Sequence, residues 1–266
     1  AVAIRGSNKE GVFGAFCAGG DIRFFHQAAL SGDPALEDFF TEEYALNHLI
    51  HHYPKPYLAF MDGIVMGGGM GISQGASFRL VTERTKMAMP ETNIGLFPDV
   101  GGGYFLSRCP GHVGEYLALT GHVISGADAV QVGLADDLRM ERDLAIVAAL
   151  QASGSDWAQA TLHDLRHRSP LMLHVVLEQL RRGRNLDLAD DLRMERDLVR
   201  HCFHTRHLQR SGASSETVEG IRALAVDKDH QPKWNPPSIE AVSPDMVSPF
   251  FESPWPAAAH PLRDLD

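Results

Sequence analysis

Three glycine-rich segments and two carboxylates carry the chemistry that this chain could perform. The segments are Phe16-Cys17-Ala18-Gly19-Gly20-Asp21-Ile22, Met66-Gly67-Gly68-Gly69-Met70-Gly71 and Asp99-Val100-Gly101-Gly102-Gly103. The first two read as helix openings, where backbone N–H groups lack intrahelical partners and face the positive end of the helix dipole. Such groups hold an anion, or an oxyanion that develops during reaction. Glycine lets a ligand come close to the backbone. Taken singly, each segment also reads as no more than a tight turn. The chain has neither a GxxxxGK(S/T) phosphate loop nor a well-placed GxGxxG.

Between the second and third segments, Met89-Pro90-Glu91-Thr92-Asn93-Ile94-Gly95-Leu96-Phe97-Pro98-Asp99 sets two carboxylates in an apolar stretch. Burial disfavours the ionised form, so such groups titrate closer to neutrality and become useful general bases. The competing reading makes Glu91 a turn cap and Asp99 the cap of the next helix. Other candidates rank below these. Cys17 beside the first turn is a conceivable nucleophile, although a small buried thiol is the commoner case. His201, His204 and His207 recur every three residues rather than at the i, i+4 spacing of helical metal ligands and read as a solvated helix face, and His48, His51 and His52 read similarly.

These residues must be positioned by a folded core. The 266 residues, 44% hydrophobic and 22% charged, suffice for one large domain or a core with a smaller appendage. A formal net charge of -10 argues against non-specific binding to nucleic acid or to an anionic membrane, since both attract cations. Three cysteines, none in a CxxC pair, suit a reducing compartment, cytoplasm or mitochondrial matrix. No run of about 18 apolar residues predicts a membrane span.

Strands are predicted at 57–61, 78–81 and 86–89, and a buried strand at 1–4, so that either the chain begins inside a sheet with residues missing before it or this strand has become an edge. Helices are predicted at 21–29 and 34–52, and another opens at 70–76. Strands alternating with helices predict an α/β core, placed at 1–136. The remainder, 137–266, is predicted to be a helical region (113–120 and 126–132 lead into it; then 157–167, 170–182 and 190–208) ending in a proline-rich tail on the surface. The stretch LADDLRMERDL occurs identically at 134–144 and 188–198 with no similarity around it, which is not a solenoid repeat. The second copy leads into a helix, whereas a strand or turn is expected at the first. Neither receives a function.

Together the three segments resemble the crotonase (enoyl-CoA hydratase/isomerase) superfamily over 1–136. Phe16–Arg23, Glu42-Glu43-Tyr44-Ala45-Leu46-Asn47, the Pro90–Gly102 stretch and the late Glu219-Gly220-Ile221-Arg222-Ala223…Lys233-Trp234 are similar to the 3-hydroxyisobutyryl-CoA hydrolases within it. The resemblance implies a ββα spiral core followed by a helical C-terminal region. It implies that the N–H groups of Gly20 and Gly68 polarise a thioester carbonyl and that Glu91 lies beside the acyl group. Asp99 would meet the substrate hydroxyl or the leaving thiolate. Ala18, Gly19, Asp21 and Gly67 belong to the same turns, and Lys228 and Lys233 are candidates for the CoA phosphates, or plain surface residues.

Typical hydratases of the superfamily carry a first glutamate where this chain has Gly71, so their two-glutamate machinery is absent. Two further departures are strands and a helix that the family normally has before Ala1, and a shorter region at 144–157. The implied reaction is hydrolysis of a short 3-hydroxyacyl-CoA, with acyl-CoA as the partner, CoA as part of the substrate, no metal or redox cofactor, and a homo-oligomer as one possible assembly. Double-bond isomerisation or hydration, and non-catalytic acyl-CoA binding, are the alternatives.

Overall fold

The computed structural model describes residues 1–6, 14–139 and 167–265. Two four-stranded sheets are built in alternation. The first has the order β1 (Val2–Arg5), β3 (Tyr57–Met61), β5 (Phe78–Thr82), β8 (Asp137–Arg139), all parallel. The second has the order β2 (Ala15–Cys17), β4 (Ile64–Met66), β6 (Lys86–Ala88), β7 (Ile124–Ser125); it is parallel except for β7. Successive turns of chain each add one strand to either sheet, as a ββα spiral requires. Buried Ala59, Met61, Val65, Val81 and Met87 fill the core between the elements.

Helices α1 (Ile22–Ser31), α2 (Ala35–His51) and α3 (Gly68–Gln74) close the first two turns of the spiral. Short helices α4 (Gly102–Leu106), α5 (Val113–Thr120) and α6 (Gly126–Gln131) follow the third. The C-terminal region supplies α7 (Pro170–Gly183), α8 (Leu188–Phe203) and α9 (Glu216–Ile221), then α10 (Pro244–Val247) among turns. One apolar cluster takes in residues from Phe16 to Leu262.

Several expectations change here. The first strand is not buried: among the described residues it is an edge, the second of the two readings, pairing with β3, and Val2 is exposed. Strands β2, β4, β7 and β8 have two or three residues each, too short to show a period. The helix predicted at 190–208 ends at Phe203, and Thr205–Leu208 is a separate 3₁₀ turn. Of the helix predicted at 157–167, all but His167 lies outside the described residues. The histidine faces are solvated only in part: His51, His52 and His204 are exposed. His48 is buried, and His201 is buried with its imidazole on the Glu252 carbonyl (2.8 Å) and its ring against His207 and Phe250. The tail covers that face. Among the described residues, no group of three or more His, Cys, Asp or Glu side chains is placed to hold a metal.

Candidate active site

Parallel strands aim their ends the same way, and the crevice outside their carboxyl ends is where such sheets place ligands. Strand β2 runs out into Ala18-Gly19-Gly20, β4 into Gly67-Gly68, and β6 into Pro90-Glu91. All of these line one cavity of about 180 Å³, together with Asp99, Glu43 and apolar Phe25, Phe40, Ile94 and Leu96. A cavity of about 150 Å³ accommodates benzene, so this one suits a short acyl group.

The two glycine turns lie side by side. Gly19 has φ +88°, and a Cβ on it would sit 3.0 Å from the Gly68 nitrogen. Gly67 has φ +53°, and a Cβ there would press on Glu91 Oε1 at 3.0 Å. L-residues avoid both conformations. Gly68 is the first residue of α3, so its N–H has no helical acceptor. Gly20 directly precedes Asp21, which caps α1 by accepting from the Arg23 N–H (3.0 Å). Asp21 itself is exposed and lies off the cavity wall.

Both capping alternatives fail. Glu91 opens the 3₁₀ turn Glu91–Ile94 without a side-chain cap, and its buried Oε2 has no hydrogen-bond partner. The N-cap of α4 is Gly101, not Asp99. Asp99 instead accepts a hydrogen bond from the Tyr44 hydroxyl (2.8 Å), and both groups are buried.

Glu43 is the site residue that sequence reasoning left unassigned. It projects from α2 so that its Oε1 lies 2.7 Å from where a Cβ on Gly68 would be. A signal existed. Buried Leu36, Phe40, Tyr44 and Asn47 trace one helical stripe, and Glu43, three after Phe40, shares it.

Three carboxyls thus meet at a cavity that, among the described residues, no lysine or arginine lines. Burial pushes Glu91 well above its usual range, and the Asp99 charge adds to it. Burial, then Asp99, lifts Glu43 to about 8. Burial also lifts Asp99, to about 6, against the pull of the Tyr44 hydrogen bond. Groups this close lose their protons as a set rather than singly. An uncompensated buried carboxylate is a strong base, which is the property that proton abstraction or nucleophilic attack needs.

The same turn explains the missing hydratase glutamate. Val100 adopts φ +55°, a conformation that costs a β-branched residue about 1–3 kcal/mol. This sets its side chain over Gly71, where a Cβ would come 2.6 Å from Val100 Cβ and 2.9 Å from Asn47 Nδ2. The space for a first glutamate is already filled.

The remaining candidates stand apart. Lys228 and Lys233 are exposed and do not line the cavity. The Cys17 thiol is half-buried and accepts from the Gly19 N–H (3.5 Å). From the C-terminal region, Leu224 reaches the cavity wall.

Comparison with known proteins agrees with this architecture. The chain matches the enoyl-CoA hydratase/isomerase family over residues 1–145 and 142–251. It is 37% identical to the mitochondrial 3-hydroxyisobutyryl-CoA hydrolase of Xenopus tropicalis, over 92% of this chain and 76% of that protein. The Gallus gallus protein of the same name is 35% identical, over 94% and 76%. Among solved structures, a carnitinyl-CoA dehydratase from Mycobacterium thermoresistibile superposes with a TM-score of 0.81 at 33% identity, covering 100% of this chain and 86% of that one. An enoyl-CoA hydratase from Rhodobacter sphaeroides 2.4.1 gives 0.79 at 33%, covering 90% and 81%.

Proposed function

The chain belongs to the enoyl-CoA hydratase/isomerase family, and on that premise we propose that it hydrolyses the thioester of a short 3-hydroxyacyl-CoA, of the 3-hydroxyisobutyryl-CoA kind, to the free acid and CoA. The observation that carries this reading is the pairing of Glu91 with Asp99 at one small cavity while Val100 occupies the place of a hydratase's first glutamate. The solved neighbours are named hydratase and dehydratase, whereas the relatives at 35–37% identity are named hydrolases, and those names support the reading.

In the proposed mechanism the thioester oxygen lies between the Gly20 and Gly68 N–H groups, which stabilise the charge it gains as the carbonyl becomes tetrahedral. Glu91 supplies the base or the nucleophile. As base it takes a proton from water while the oxygen attacks the carbonyl carbon. As nucleophile it forms an acyl anhydride that water then opens. In both routes the C–S bond breaks, the thiolate takes a proton, and one water is consumed. Asp99, held by Tyr44, receives the 3-hydroxyl or returns the proton to the sulfur. The reaction needs no metal or redox cofactor, since CoA arrives with the substrate. The relatives' names favour a mitochondrial compartment, and the three unpaired cysteines fit its matrix or an equally reducing cytoplasm.

The test is thiol release across a panel of acyl-CoAs. Turnover of saturated 3-hydroxyacyl-CoAs supports hydrolysis. Turnover of enoyl-CoAs without thiol release refutes it, as does acyl-CoA binding without turnover. Label in Glu91 after a single turnover in ¹⁸O-water establishes the anhydride route with water opening it at the Glu91 carbonyl, because direct attack of water on the thioester puts label only in the product acid.

A further inference from the structure

The second LADDLRMERDL copy is the one sequence motif that the cavity leaves unexplained. It forms the first three turns of α8, and two of its carboxylates face the turn that carries Asp99 rather than solvent. Fully buried Glu195 accepts hydrogen bonds from the N–H groups of Gly101 (2.8 Å) and Gly103 (2.9 Å). Asp191, equally buried, accepts from the Tyr104 N–H (3.0 Å). On the other flank, buried Gln179 of α7 donates to the Pro98 carbonyl (2.7 Å) and to Glu195 (3.0 Å). The backbone is therefore held at Pro98, Gly101, Gly103 and Tyr104. Asp99 and the left-handed Val100 lie between the held points.

We propose that Glu195, braced by Gln179, is a positioning residue for thioester hydrolysis: it holds the Pro98–Tyr104 turn so that Asp99 faces the cavity beside Tyr44. Three observations support this. Neither Glu195 nor Gln179 lines the cavity, so neither touches the substrate there, and Gln179, which is uncharged, acts on the reaction through the turn alone. The left-handed Val100 persists only where its surroundings enforce it, and these hydrogen bonds are the enforcement. Burying two acids together is also unfavourable. Burial and the neighbouring Asp191 push Glu195 well above its usual range, and burial lifts Asp191 to about 7. A pair retained at that cost is holding something in place. The first repeat copy enters β8 instead, so the helical conformation that builds the clamp belongs to the second copy's place in the fold rather than to its letters.

The inference rests on the reading of Asp99 above, and a double-mutant cycle separates the two. Glu195→Gln keeps one oxygen acceptor but turns an NH₂ toward a backbone N–H, so it loosens one point of the clamp. Displacing a catalytic group by about 1 Å costs about 10²-fold, and Glu195→Gln should lower kcat roughly ten- to a hundredfold at little-changed KM. In an Asp99→Asn background the same substitution should cost less than about threefold, since the group it positions is gone. If the two losses multiply, Glu195 is a structural residue and the inference is overturned. If Asp99→Asn alone leaves turnover intact, the reading of Asp99 falls and takes the clamp's function with it. Should Glu195→Gln fail to fold, Gln179→Met enters the same cycle with the same two outcomes, since it removes the donor to Pro98 at nearly constant volume.

Discussion

Replacing Asp99 by asparagine should make the protein more stable and less active, with the gain appearing only above a definite pH. The amide is isosteric, and its oxygen still accepts from the Tyr44 hydroxyl at 2.8 Å. The lost charge is what matters. Burial raises Asp99 from an ordinary 3.8 to about 6. Between those values the folded chain binds more protons than the unfolded one, so wild-type stability falls as pH rises. A difference of about 2 pH units at roughly 1.4 kcal/mol per unit gives a cost of about 3 kcal/mol, complete above pH 6. Asp99→Asn escapes it. At roughly 2–4 °C per kcal/mol, Tm should exceed wild type by about 6–12 °C at pH 8 and match it below pH 4. Calorimetry at pH 4, 6 and 8 reads this directly. The same variant should lose the preference for 3-hydroxyisobutyryl-CoA over isobutyryl-CoA, a charge-assisted hydrogen bond worth about 1.5–3 kcal/mol or ten- to a hundredfold in thiol release. Its activity should also rise at lower pH than in wild type, since the Asp99 charge helps to keep the proton on Glu91. A Tm difference equal at pH 4 and pH 8 would refute the desolvated carboxylate. An intact hydroxyl preference would refute its role toward the substrate.

Glu91→Gln should lower kcat by about 10²-fold or more while leaving CoA affinity nearly unchanged in a calorimetric titration. Its Oε2 has no protein partner to lose, so near-wild-type turnover would remove Glu91 from the mechanism. Gly71→Ala should cost about 1–3 kcal/mol of stability through overpacking, because its Cβ would lie 2.6 Å from Val100 Cβ. An unchanged Tm would mean that the Val100 turn yields freely and does not exclude a side chain at position 71.

The glycine turns, Glu91 and Asp99 were legible in the residues alone. Close backbone approach and left-handed φ leave few choices but glycine, and a carboxylate in an apolar run is conspicuous without a structure. Helices were legible too, because 3.6-residue periodicity needs only local order: the short α5 was predicted residue for residue, and the longer α7 to within one residue. Glu43 was half legible. Its phase on α2 placed it on the buried stripe, but only the folded chain set that stripe against Gly68.

What tertiary structure alone decided is clearest in the repeated eleven residues. Asp137-Leu138-Arg139 is a strand paired to β5, and the identical Asp191-Leu192-Arg193 is helix. Local propensities are the same in both copies, so they cannot choose. The first copy follows α6 to the free edge of β5, where backbone groups gain ladder hydrogen bonds. The second follows the Asp187 cap and lies along α2 and the Gly101–Tyr104 amides. Each conformation is the one whose surroundings satisfy its backbone, and in the second copy Asp191 and Glu195 as well, and those surroundings come from residues far away in sequence. Propensity differences of a few tenths of a kcal/mol per residue are smaller than the burial and hydrogen bonding at stake, so the fold overrides the local code.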